Sequence, residues 1–223
     1  MRMRIVFKKG ARLRHIGHLD LLRTMQRALR RSELPVAYSQ GFNPHLLCTF
    51  ASALSVGAAG EREIMDVKLA AETDAETFKM KLSPALPQDI VIKELIPIED
   101  SHPAPMSLLY AAGYEAEFSD EDYQTFFSAI DPLMIQEEIT ALRKTKKGMK
   151  PCDIKPMVYD LNTDGNKMNM LLALTEQATC KPSMLFDAIK RKAGLEMIPR
   201  HTLTRLALYG KNEKGELVPL ETL

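Results

Sequence analysis

The chain has no tryptophan and only three cysteines in 223 residues. Cys48, Cys152 and Cys180 are far apart and odd in number, so they set up neither a disulfide framework nor a zinc knuckle. A CxxxCxxC run is also absent, which leaves no thiolate cradle for an iron–sulfur centre. No apolar run approaches the length that crosses a bilayer, and Met1-Arg2-Met3-Arg4 leads into a strand-like run rather than a signal-peptide core. The expectation is a cytoplasmic protein with no membrane contact. Its composition, 45% hydrophobic and 26% charged, is that of an ordinary globular chain long enough for two modest domains.

Net charge is nearly absent too, at +1, but the distribution is uneven. Residues 1–50 hold ten Lys/Arg against Asp20 and Glu33, a balance of +8. Residues 51–138 stand at −13 and residues 139–223 at +6. Two basic ends around an acidic middle suit a polyanion partner at selected surfaces. Simple solvation of surface helices and strands accounts for the same asymmetry.

What the sequence does contain is concentrated near its start. From His18 to Arg31, Leu21, Leu22, Met25, Ala28 and Leu29 fall on one side of a helix, and Arg23, Arg27, Arg30 and Arg31 share the opposite arc. Arg12, Arg14 and His15 precede it, and the turn-rich Tyr38-Ser39-Gln40-Gly41-Phe42-Asn43-Pro44-His45 follows it. Alternation over Arg2–Phe7 predicts a half-buried strand. Pro35 predicts that the helix stops near Ser32, and Val36-Ala37-Tyr38 is a short strand candidate.

Strands are predicted at 46–51, 63–69 and 89–98, with a helix over 74–82. The order β-α-β-β-α-β defines a split ferredoxin-like unit. After a proline-rich linker at 100–107 the order repeats. It comprises a strand over 110–118, a helix from an acidic cap through Ile130, extended segments at 138–142 and 154–161 around a basic loop 143–150, a strand at 168–174, a helix at 183–193 and a last strand at 202–209. The expected architecture is α+β, with tandem ferredoxin-like domains of antiparallel sheet spanning 1–99 and 108–223.

Three chemistries compete for the N-terminal cluster. Metal binding by His15, His18, Asp20 and His45 has no recognised zinc spacing, and Asp20 is explained by the helix dipole and by Arg23, so no metal or cofactor is expected. His15, His18 or His45 as general acid or base, with arginines on the phosphate, would cleave an RNA phosphodiester without metal. Binding without chemistry uses Arg12, Arg14, Arg23, Arg27, Arg30 and Arg31 for phosphates and Gln40, Gly41, Phe42, Asn43 and His45 as a recognition turn, with Phe42 stacking on a base. Lys146, Lys147 and Lys150 offer a second phosphate contact. Against this, Phe42 serves equally as a hydrophobic plug, and the arginines as partners of the acidic middle segment.

The segments Arg14-His15-Ile16-Gly17-His18-Leu19-Asp20, Arg27-Ala28-Leu29-Arg30-Arg31, Leu34–His45 and Gly60-Glu61-Arg62-Glu63 resemble the radical-SAM-linked family. That family is a domain of unknown function fused to, or encoded beside, a radical S-adenosylmethionine protein. Cys152–Pro156 and Thr204–Tyr209 look like its C-terminal signatures. Gly17 stands where the family usually has serine, and Leu46-Leu47 where it has Pro-Lys, so no role is carried to those positions. The resemblance implies work beside a radical SAM enzyme, with RNA as the substrate suggested by neighbouring translation and RNA-processing genes. A looser, fold-level likeness to the repeat-processing endonucleases of CRISPR systems assigns no reaction. The expected function is an RNA-binding accessory protein for a separate radical SAM enzyme. The alternatives are a metal-independent endoribonuclease and a protein-binding scaffold.

Overall fold

The computed structural model describes residues 1–145 and 148–223, and the side chains of all of these except 144 and 145. They form two compact units, one of Met1–Leu109 with Arg205–Leu223, the other of Tyr110–Thr204. In chain order the first unit holds β1 (Arg2–Lys9), α1 (His18–Arg31), β2 (Cys48–Phe50), β3 (Ala58–Lys68), α2 (Ala75–Leu82) and β4 (Ile90–Ile98). The second holds β5 (Ala111–Phe118), α3 (Tyr123–Ser128), α4 (Ile130–Met134), β6 (Thr140–Thr145), β7 (Gly148–Asp153), β8 (Val158–Asp164), β9 (Lys167–Ala173) and α5 (Pro182–Ala193). Strand β10 (His201–Lys211) begins in the second unit and ends in the first, where β11 (Leu217–Pro219) pairs with it. The fold is mixed α+β, with sheet that is mostly antiparallel.

In the first unit β1 lies between β3 and β4, antiparallel to both, and β2 adds to β3. The period-two pattern of β1 sends Met3, Ile5 and Phe7 into one core with Met65 and Val67 of β3. Helix α1 covers that face with Leu21, Met25, Ala28 and Leu29, and α2 with Phe78 and Leu82. The register opposes Arg2 to Lys68 and Arg4 to Asp66, which places these four charged residues on the other face.

The helix ends as its sequence implies. Ser32 caps α1, its hydroxyl donating to the Leu29 carbonyl at 2.8 Å, and Glu33 then turns the chain with φ +53°. That is a left-handed conformation without glycine, a local cost of about 1–2 kcal/mol. At the start of α2, Asp74 accepts the Thr77 N–H at 2.8 Å. The predicted strand at 36–38 survives only as isolated bridges, Val36 to Leu69 and Tyr38 to Leu46.

In the second unit β9 lies between β5 and β8, both pairings antiparallel. Leu185, Phe186 and Ile189 of α5 are buried, and the Phe118, Phe126, Phe186 and His201 rings pack together at 4.9–6.1 Å between centroids. One expectation is corrected here. Within the supposed basic loop 143–150, residues 143–145 end β6 and residues 148–150 begin β7, and the two strands pair antiparallel from Thr140–Asp153 to Thr145–Gly148. The β7 arm from Gly148 to Pro151 is exposed, so no apolar alternation marked it, and Gly148 takes φ +110°, a conformation open to glycine.

Candidate functional site

Helix α1 presents its cations as the sequence arranged them. Arg23, Arg27, Arg30 and Arg31 are all exposed, on the side away from the buried Leu21, Met25, Ala28 and Leu29. Neutralisation is partial. Arg23 pairs with Asp20 at 3.3 Å, with both side chains more than 60% exposed, so this pair contributes little. Arg27 donates to the Thr24 hydroxyl and Arg31 to the Ala85 carbonyl at 2.6 Å, neutral acceptors that leave the charge in place. Among the described residues no carboxylate pairs with Arg27, Arg30 or Arg31. Arg12 is different, being held by Asp89 at 2.7 Å, a bond that raises the guanidinium pKa further. Arg14 donates to the His15 Nε2 at 3.1 Å.

The turn after the helix is a stapled finger. The Ser39 N–H donates to the His45 carbonyl at 2.8 Å, the His45 N–H donates to the Ser39 hydroxyl at 3.1 Å, and that hydroxyl meets His45 Nδ1 at 2.8 Å. Below the staple, Ala37 N–H donates to the Lys68 carbonyl and Leu47 N–H to the Ala37 carbonyl, which roots the finger on β3. At its tip Gly41 has φ +118° with open space where a Cβ would project, and Phe42 stands fully exposed. Gln40, Asn43, Pro44 and His45 are exposed as well. Beyond the finger, at the start of β2, the Cys48 sulfur receives a bond from Gln26 of α1 at 3.8 Å. Burial raises the Cys48 pKa, while Gln26 and the Arg30 charge act against that rise.

The histidines have separate neighbours. His15 takes the Arg14 bond, His18 lies edge-on against Phe50 at 5.3 Å, and His45 belongs to the finger staple. Among the described residues no group of three or more His, Cys, Asp and Glu is placed to hold a metal, and no helix is long and apolar enough to cross a membrane. Lys150 is an exposed residue of β7 in the second unit. Lys146 and Lys147 lie outside the described residues.

Sequence reasoning missed a buried ionic layer in the first unit. Arg205 and Glu63, each 2% exposed, form a two-pronged pair with Nε–Oε1 at 2.8 Å and a second bond from Nη2 to Oε2. Arg205 also donates to the Ser52 and Ala53 carbonyls. Lys9, 1% exposed, donates to the carbonyls of Ile16 and Ala58 at 3.3 Å. Burial lowers the Lys9 pKa, with Glu63 opposing and Arg205 reinforcing that shift. Arg4 grips Asp66 at 2.9 Å and reaches the Leu220 and Leu223 carbonyls. The one signal for this layer was the pair of motifs, Gly60–Glu63 and Thr204–Tyr209, which the fold joins through Glu63 and Arg205.

A family model described as an uncharacterized protein conserved in bacteria (DUF2344) matches residues 2–182. No curated protein matches the chain.

Proposed function

The chain belongs to that bacterial family, and we propose that it is an RNA-binding accessory protein that presents a flexible or single-stranded RNA to a separate radical SAM enzyme. The observation that carries the RNA part is a fully exposed phenylalanine on a finger stapled by Ser39 and His45, in a unit where, among the described residues, no carboxylate pairs with Arg27, Arg30 or Arg31 of α1. An apolar ring held in water at the end of an ordered loop gains energy by covering a partner, and a nucleobase face suits it. Arg27, Arg30 and Arg31 of α1 supply the phosphate attraction that single strands require. The radical SAM part is supported by the motif resemblance alone, with no cluster ligands in this chain. Alongside it we read the first unit, with its order β4-β1-β3 and β2 on β3, as a split ferredoxin-like arrangement that the second unit repeats in β5-β9-β8.

The test is salt-dependent binding of the full chain to cellular RNA fractions. Reversal of charge in Arg27→Glu/Arg30→Glu lowers the affinity and reduces the slope of log K against log salt by about 1.4, two single-strand contacts at roughly 0.7 each. Phe42→Ala costs roughly 1–3 kcal/mol of binding without changing the slope. Affinity and slope unmoved by the double reversal would reject the proposal.

A further inference from the structure

Behind the finger the first unit contains a cavity of about 280 Å³. Its walls are built by three segments, the N-terminal end of β1 with Arg2, the end of β3 with Asp66 and Lys68, and the stretch from His45 to Thr49, with Ala104 and Pro105 closing one side. The size lies at the small end of ligand pockets, which begin at roughly 300 Å³. It suits a phosphate and its sugar better than a drug-sized apolar molecule. Leu46 and Leu47 contribute apolar wall, so the charge of the pocket comes from the strands.

That charge is unusual for a sheet. Arg2 and Lys68 stand directly opposite each other in the β1–β3 ladder, and like charges in such a pair repel. The repulsion is offset only in part. Asp66 accepts from Arg2 at 3.4 Å, but it is gripped more closely by the fully buried Arg4 at 2.9 Å, so its charge is already answered. Asp100 lies 3.7 Å from Lys68 and also receives the amino terminus of Met1 at 3.1 Å. Arg2 is 86% buried as a side chain, and its other nitrogens bond Asp66 and the Glu99 and His102 carbonyls, yet its Nε–H is buried with no acceptor among the described residues. A buried guanidinium donor left without an acceptor is unfavourable, but this atom is closed to solvent, so the Arg2 charge and not its Nε–H is what the cavity offers an anion. His45 and the Thr49 hydroxyl add two more groups able to donate to phosphate oxygens.

We infer that this cavity is a receptor for a terminal phosphate monoester of the bound RNA, held by Arg2, Lys68 and His45. The inference rests on the RNA reading and deepens it, because His45 belongs both to the finger staple and to the cavity wall. It lies three positions along the chain from Phe42, a backbone reach of at most about 10 Å. A base stacked on Phe42 and a chain end in the cavity therefore lie close along one strand. A terminal monoester carries more charge than an internal diester, and the opposed cations favour the greater charge.

The experiment compares one short single-stranded RNA prepared with a 5′-monophosphate, with a 3′-monophosphate, or with hydroxyls at both ends, against the full chain. One phosphorylated form binds about tenfold more tightly than the hydroxyl form, the gain of a charge-assisted contact. Lys68→Ala removes that ratio and Lys68→Arg restores it, whereas Arg27→Glu/Arg30→Glu weakens all three RNAs and preserves the ratio. Three equal affinities that still fall with salt would overturn the receptor and leave the RNA reading standing. If no RNA binds, the RNA reading falls, and the cavity is judged by titration with inorganic phosphate. The Thr49 amide resonance shifts in the wild type and not in Lys68→Ala. Absence of that shift overturns the inference whatever the RNA does.

Discussion

Glu63 and Arg205 show how much of this protein depends on single buried charges. Removing a carboxylate from water costs several kcal/mol, which the two-pronged Arg205 contact and the Lys9 charge offset, while the Ser52 and Ala53 carbonyls accept the remaining guanidinium donors. Gly60 sits against the Glu63 side chain so closely that a Cβ there would come within 2.6 Å of it, which explains a glycine three residues before a buried acid. Breaking the pair from one side leaves the other charge stranded. Glu63→Gln is expected to lose about 3–5 kcal/mol, read from the urea midpoint, while the double variant Glu63→Leu/Arg205→Met recovers most of that loss because neither charge remains. A double variant as unstable as the single ones would show that the pair, and not the stranded charge, carries the stability. In the sequence these residues were visible only as motif letters. Nothing in the local pattern of β10 distinguishes Arg205, at 2% exposure, from a surface arginine.

At the scale of elements, legibility follows the strength of the period. Helix α1 was readable in extent and in face, since its apolar stripe and terminating Pro35 left little choice, and α2 and β4 were readable in extent; β1 was readable as a strand but not as half-buried, for Arg4 and Val6 are buried as fully as Met3 and Ile5. The hairpin of β6 and β7 was not, because its exposed positions carry no period-two apolar signal. The finger was recognisable as a turn from Gly41, Asn43 and Pro44, but its rigidity was not, for a hydrogen bond between Ser39 and His45 leaves no compositional trace. That rigidity is testable. Ser39→Ala removes the acceptor of the His45 N–H and the partner of its ring nitrogen. Amide exchange at residues 39 and 45 rises by about tenfold, the effect of losing roughly 1.4 kcal/mol of local protection, while the global urea midpoint stays put because the loop is exposed. Unchanged exchange at these two amides would mean that the bridges at Tyr38 and Ala37 alone hold the finger.

At the scale of the whole molecule, chain order and spatial membership part company. Arg205–Leu223 folds with Met1–Leu109 although nearly a hundred residues intervene. Linker composition around 100–107 marks where the chain leaves the first unit, and no comparable run of proline marks where it returns. The return supplies charge partners that the first unit cannot replace. Arg205 answers Glu63, Glu221 answers Arg62 at 2.6 Å, and the Leu220 and Leu223 carbonyls accept from the buried Arg4. A chain ending at Thr204 would leave buried Glu63 without its two-pronged partner, a loss of about 3–5 kcal/mol before the missing β10 ladder is considered, against a typical total stability of 5–15 kcal/mol. The first unit of such a chain is therefore expected to lose its fold, seen as collapse of the dispersed amide resonances of residues 3–7. The second unit retains β5, β8, β9 and α5 and should keep its own resonances. Dispersed signals from β1 in the shortened chain would show that the first unit is complete without the returning segment, and that its buried glutamate finds relief from Lys9 alone.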